Sequence, residues 1–170
     1  MSDGALGARQ HGGFDGVGHA RNVTRGNTSP GRGLRAPAVL RVNPDVDART
    51  HAKISTGKAE NKFGIPIDQA VAMYARLAAH PGLAMRGVAI HIGSQLTDLA
   101  PLETAYARIG ELVAELRAAG HAITHVDLGG GLGVPYREGD DPPSPAAFGA
   151  MAARVTADWD VDLTFEPGRV

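Results

Sequence analysis

The stretch Ile123-Thr124-His125-Val126-Asp127-Leu128-Gly129-Gly130-Gly131-Leu132-Gly133 decides how the rest of the chain is read. It begins as a short apolar, β-branched run and ends in a glycine triplet. It therefore predicts a strand over residues 123–128 whose end carries a turn free of side chains. Working outward, the same pattern recurs. Residues 86–92, in which Val88, Ile90 and Ile92 alternate, run into His91-Ile92-Gly93-Ser94-Gln95. Residues 38–42 run into Arg41-Val42-Asn43-Pro44-Asp45-Val46-Asp47, and residues 161–165 into Glu166-Pro167-Gly168-Arg169-Val170.

Helical patterns separate these runs. Pro66 opens a helix to about residue 80, stopped by Pro81-Gly82. Over residues 101–119, Leu102, Tyr106, Ile109, Val113 and Leu116 form one apolar stripe, and Gly120 stands where a left-handed cap is expected. A third helix starts at or near Ser144 and runs to about residue 157. Four strands alternating with three helices predict an α/β fold with a parallel sheet: half of a (β/α) barrel, or one edge of an open doubly wound sheet.

The chain has 170 residues, against about 250 for a closed eight-unit barrel. Its formal charge is −1. Residues 37–170 are net acidic, so no basic face for nucleic acid stands out, and only the first 36 are net basic. There is no cysteine, which excludes disulfides, thiolate metal sites and a cysteine nucleophile within this segment. No apolar run reaches the roughly 20 residues of a membrane span, and no signal peptide is evident, so a soluble cytoplasmic protein is expected. Residues 1–36 are rich in glycine and arginine and lack any period of 2 or 3.6. They are read as a disordered tail ahead of a domain at 37–170, with a basic functional tail or a mis-set start as alternatives.

In parallel α/β folds, binding and catalytic groups collect at the C-terminal ends of strands, where all four motifs fall. Gly129, Gly130 and Gly131 allow close backbone approach to an anion such as phosphate, or make a plain turn. They fit neither a Walker loop nor a dinucleotide fingerprint. His91 reads as a hydrogen-bonded histidine of a barrel mouth, a plate against a flat cofactor, or an acid/base. Metal ligation is not expected, since His121 and His125 lie on a loop and a strand that separate them. Glu166 is a loop carboxylate or the partner that keeps a heteroaromatic nitrogen protonated. Arg169 offers a planar fork to a phosphate or carboxylate, or forms a structural ion pair. The long segment 43–65 reads as a lid that Ile54, Phe63 and Ile65 can seat.

The stretches RVNPDVDARTHAKISTGKAENKFGI, HIGSQL, VDLGGGLGVPY and FEPGRV resemble, in order and spacing, the barrel of the diaminopimelate decarboxylases, within the alanine-racemase-like, pyridoxal-phosphate-dependent group. The resemblance spans residues 39–170. It implies a partial pyridoxal 5′-phosphate-binding TIM-type barrel and decarboxylation of meso-2,6-diaminopimelate to L-lysine, with homodimers in the full-length family. It also implies roles. His91 stacks on the pyridine ring, and Ser94 lies near the phosphate. Gly129, Gly130 and Gly131 wrap the phosphate. Glu166 meets the pyridine nitrogen, and Pro167, Gly168 and Arg169 complete the contacts to phosphate and to the substrate carboxylate.

The departures are equally specific. The family's Schiff-base lysine sits in a Lys-Ala-Asn-like strand context that is absent here. Lys53, Lys58 and Lys62 all fall in the lid segment. The family's cysteine and tyrosine from a C-terminal β-domain are also missing. A fragment inactive on its own is therefore expected. Alternatives are another amino-acid decarboxylase or racemase of the same fold, a non-catalytic pyridoxal-phosphate binder, or a truncated gene product.

Overall fold

The computed structural model describes residues 35–47 and 63–168. Most of the expected tail, the centre of the expected lid with its three lysines, and Arg169 lie outside the described residues. In chain order the elements are β1 (Ala36–Asn43), β2 (Ile65–Pro66), α1 (Ile67–Ala78), β3 (Leu83–Ala89), α2 (Ala100–Ala118), β4 (His125–Gly130), α3 (Pro145–Thr156) and β5 (Asp162–Glu166).

All strand pairs are parallel, and the sheet order is β2-β1-β3-β4-β5. With the two-residue β2 set aside, each of β3, β4 and β5 adds on the same side of the long strand before it. Right-handed crossovers then place successive helices on one face, as in a barrel wall. The helices accordingly pack in series, α1 against α2 and α2 against α3. The long strands β1, β3, β4 and β5 thus step in one direction only, which favours the barrel arc over the doubly wound sheet, where the direction of addition reverses.

The expected helices are present, with physical reasons visible at their ends. Pro66 stands at the N-cap of α1. Ser144 caps α3 by accepting a hydrogen bond from Ala147 N at 3.1 Å, and Pro145 follows it where no amide is needed. At the end of α2, Gly120 has φ +88°, its N–H donates to Arg117 O, and His121 N–H donates to Leu116 O. That pair of bonds is the Schellman arrangement, which satisfies carbonyls the helix leaves open.

The strands differ more from expectation. β1 begins at Ala36, two residues before the expected run at 38–42, held by Ala36 N–H donating to Gly82 O. β3 lies three residues earlier than expected and stops at Ala89. Ile90 and Ile92 keep the apolar alternation by packing on the core beyond the strand. β3 also carries a bulge: Ala38 pairs with Met85 but Val39 with Gly87, leaving Arg86 as the extra residue. β2, only two residues long, had no sequence signal.

The core lies between sheet and helices. Leu40, Val42, Val88, Val126 and Leu128 meet Tyr74, Leu102, Tyr106, Ile109, Val113 and Leu116, all fully buried. The alternate strand positions Arg41, Asn43, His125, Asp127 and Thr164 are half-buried on the other face. Thr164 Oγ1 and His125 Nε2 are 3.3 Å apart there. Among the described residues no helix is long and apolar enough to cross a membrane.

Two alanine substitutions should move stability in opposite directions. A Cβ at Gly87 would overlap the His125 backbone carbonyl across the β3–β4 ladder, whereas one at Gly149, on the exposed side of α3, meets nothing within 4 Å. In urea unfolding, Gly149→Ala is expected to gain about 0.5–1 kcal/mol, as Gly-to-Ala does in a helix interior. Gly87→Ala is expected to lose about 2 kcal/mol or more, because a backbone shift is forced.

Candidate functional site

The C-terminal ends of β3, β4 and β5 stand side by side, and the glycine triplet is the piece that fits them together. Asp127 pairs with Thr164 and Gly130 with Glu166, so β4 holds one residue more than β5 between the two pairs and bulges at Leu128-Gly129. Gly129 turns with φ +64° and Gly131 with φ +106°, conformations that side-chain-bearing residues seldom take. Asp127 fixes the turn: its Oδ1 accepts from Gly129 N–H at 2.8 Å. A Cβ at Gly129 would overlap Ile90 O and sit 3.3 Å from His91 Cα and Nδ1. At Gly130 it would overlap Glu166 O, and at Gly131 Gly93 O. The triplet therefore touches each neighbouring motif backbone to backbone. A substitution such as Gly130→Val would break the β4–β5 junction itself, so it cannot report selectively on anion binding.

A second set of bonds clamps the loop after β3 onto the loop after β4. Leu96 N–H donates to Gly131 O at 2.8 Å, and Gly133 N–H donates to Leu96 O at 2.9 Å. The Gln95 side chain adds a reciprocal pair: its Nε2 donates to Val134 O, and its Oε1 accepts from Val134 N–H at 3.3 Å. Gln95 takes φ +58° to reach this position. Neither Gln95 nor Asp127 was assigned a role from sequence. The Asp-x-Gly spacing was a readable turn signal for Asp127, but nothing local announces the Gln95 clamp.

The expected site residues are distributed around this junction. His91, two residues beyond β3, is half-buried. Its Nδ1 is buried with no hydrogen-bond partner among the described residues, which goes against the plain hydrogen-bonded histidine. Glu166, the last residue of β5, is exposed, and its carboxylate has no hydrogen-bond or ion-pair partner among the described residues. Ser94 is exposed in the clamped loop, next to the Gly93 carbonyl that faces Gly131. Pro167 and Gly168 continue the chain past β5, Gly168 with φ +73°. Arg41 lies on the inner face of β1, its guanidinium carbon 5.6 Å from the centre of the Phe63 ring. The described residues include no lysine, because all three lysines fall within residues 48–62.

Comparison with known proteins agrees with this geometry. The family model "Pyridoxal-dependent decarboxylase, pyridoxal binding domain" matches residues 16–170. The chain is 55% identical over 138 residues to a diaminopimelate decarboxylase of Zymomonas mobilis and 53% identical over 137 residues to one of Pseudomonas aeruginosa. In both cases this covers 81% of the chain and 33% of the relative. Among solved structures, diaminopimelate decarboxylase from Helicobacter pylori, complexed with L-lysine, superposes with a TM-score of 0.73 at 34% identity, over 82% of this chain and 35% of that one. The chain thus spans about a third of the length of the relatives it matches. With a parallel barrel arc and the glycine junction at its C-terminal end, the chain belongs to the pyridoxal-dependent decarboxylase family, within that family's pyridoxal-binding barrel domain.

Proposed function

We propose that residues 37–170 supply one wall of a pyridoxal 5′-phosphate site in a diaminopimelate decarboxylase, which converts meso-2,6-diaminopimelate to L-lysine. The observation that carries this reading is the meeting of three strand ends at the glycine junction. There His91 Nδ1 and the Glu166 carboxylate, both without a hydrogen-bond partner among the described residues, lie on segments adjoining the turn with two left-handed glycines. Identities of 53–55% to two named diaminopimelate decarboxylases support this substrate over other amino acids. Homodimers and a cytoplasmic location are part of the same proposal.

When bound, pyridoxal phosphate supplies a protonated pyridine ring that takes up the electron pair released as the substrate's Cα–carboxylate bond breaks. The chain's residues hold that ring and its charge. His91 is assigned to one face of the ring. Ser94 and the backbone of Gly129, Gly130 and Gly131 are assigned to the phosphate, which residues without side chains allow to approach closely. Glu166 accepts the ring-nitrogen N–H and keeps the proton there. Pro167 and Gly168 are assigned to the same pocket, and Arg169 would offer two parallel donors to the phosphate or the substrate carboxylate. Gln95 and Asp127 act as positioning residues, since their bonds set the loops that carry His91, Ser94 and the glycines.

Glu166 and Arg169 should fail in different ways in an active enzyme that contains this segment. Glu166→Ala should lower kcat about a hundredfold or more while the cofactor absorbance is retained, because the interaction strengthens as charge enters the ring. Arg169→Ala should chiefly raise apparent KM, because its anion is present before reaction. Near-parental kcat in Glu166→Ala would make the carboxylate structural and remove it from the cofactor site.

Gln95→Ala should behave as a positioning lesion. Loss of both bonds to Val134 frees the HIGSQ loop, so cofactor affinity should fall several-fold, with partial recovery in Gln95→Glu through its retained acceptor. Equal affinity in the parent and Gln95→Ala, measured by cofactor titration, would separate the clamp from binding.

A further inference from the structure

The opposite end of the sheet carries a second concavity that the cofactor site does not use. A cavity of about 330 Å³ opens among the N-terminal ends of the strands. It is lined by Arg35 just before β1, Ala84, Met85 and Arg86 of β3, Tyr74 from α1, and His121 from the turn before β4. This size is at the lower end of the range that holds small-molecule ligands. Three observations set it apart from a packing defect.

The first is charge. Arg35 and Arg86 line the cavity beside His121, and among the described residues no carboxylate does. The second is the bulge in β3. Arg86 is the residue left out of the β1 ladder, and such a bulge re-aims a side chain at the expense of one pairing. The backbone carbonyl of Arg86 accepts from Thr124 N–H, just before β4, at 2.9 Å, so the bulge is held in place. Arg35 is held as well, its Nε donating to Leu83 O at 2.8 Å.

The third is Tyr74. It is 1% exposed, and its hydroxyl has no hydrogen-bond partner among the described residues. A buried donor left unpaired is unfavourable by about 1–3 kcal/mol, so such a group calls for an acceptor. Burial pushes the phenol up to about 12, which leaves it protonated and a donor across the physiological range. The His121 ring lies 5.0 Å from the Tyr74 ring at 56° and forms the adjoining wall.

We propose that this cavity is a binding site for a small organic carboxylate, whose anionic head is received by Arg86, Arg35 and the Tyr74 hydroxyl while its alkyl stem packs on Ala84 and Met85. The apolar patch beside the cations is what favours an organic acid over a bare inorganic anion. The site lies at the end of the strands away from His91 and Glu166, so occupancy here does not compete with the cofactor.

The test is a titration of the ¹⁵N-labelled chain with sodium propionate at constant ionic strength, with chloride as the exchanged anion. Amides of residues 84–86 and 120–122 should move along one saturating curve. Arg86→Gln, at an exposed position, should weaken that curve about tenfold or more, the loss expected for one charged hydrogen bond. Tyr74→Phe should weaken it too while melting at or above the parent temperature, because it removes an unpaired donor. The proposal is overturned if those amides do not saturate, if Arg86→Gln binds as the parent does, or if the shifts fall only at residues 129–133. It is equally overturned if inorganic phosphate binds there as tightly as propionate.

Discussion

Backbone must touch backbone where the strands of this sheet end, and only glycine permits it. At Gly129, Gly130 and Gly131 the space a Cβ would fill is taken by the carbonyls of Ile90, Glu166 and Gly93. These contacts hold the loop that carries His91 and Ser94, and the end of β5 that carries Glu166, against the glycine turn. The same constraint operates lower in the sheet, where Gly87 faces the His125 carbonyl. A methyl group at any of these positions would push neighbouring strands apart, so the site and the sheet depend on the same sterics.

Around that junction, polar side chains convert proximity into fixed geometry. Asp127 holds the turn by its Gly129 amide, and Gln95 locks one loop to the other through both atoms of its amide. Elsewhere Arg108, on α2, donates to the Pro44 and Asp45 carbonyls just past β1, and Arg117 donates to the Ile123, Trp159 and Asp160 carbonyls at the opposite end. Helix-borne arginines thus satisfy loop carbonyls at both ends of the sheet, a role that leaves no periodic trace in sequence.

The helices were legible because their signals are local. The stripe from Leu102 to Leu116, the Ser144 cap and the Gly120 stop each act within a few residues, and each is found where its chemistry places it. Strand limits were less legible because pairing is decided across the sheet. Ile90 and Ile92 extend an apolar alternation that the ladder has already left, and the bulge at Arg86 depends on the register of β1. The proposed site residues His91, the glycines and Glu166 stand out in the sequence by their place after apolar runs. What joins them, the carbonyl contacts and the Gln95 clamp, is long-range and had no sequence signal.

The central claim is that the HIGSQ, GGG and EPG segments form one cofactor surface. It is tested most directly by titrating the ¹⁵N-labelled chain with pyridoxamine 5′-phosphate, which lacks the aldehyde and so cannot form adducts with Lys53, Lys58 or Lys62. The account predicts that amides of residues 91–95, 129–133 and 166–168 shift together with a single dissociation constant. Shifts confined to one of the three segments, or segments that saturate at different concentrations, would contradict it.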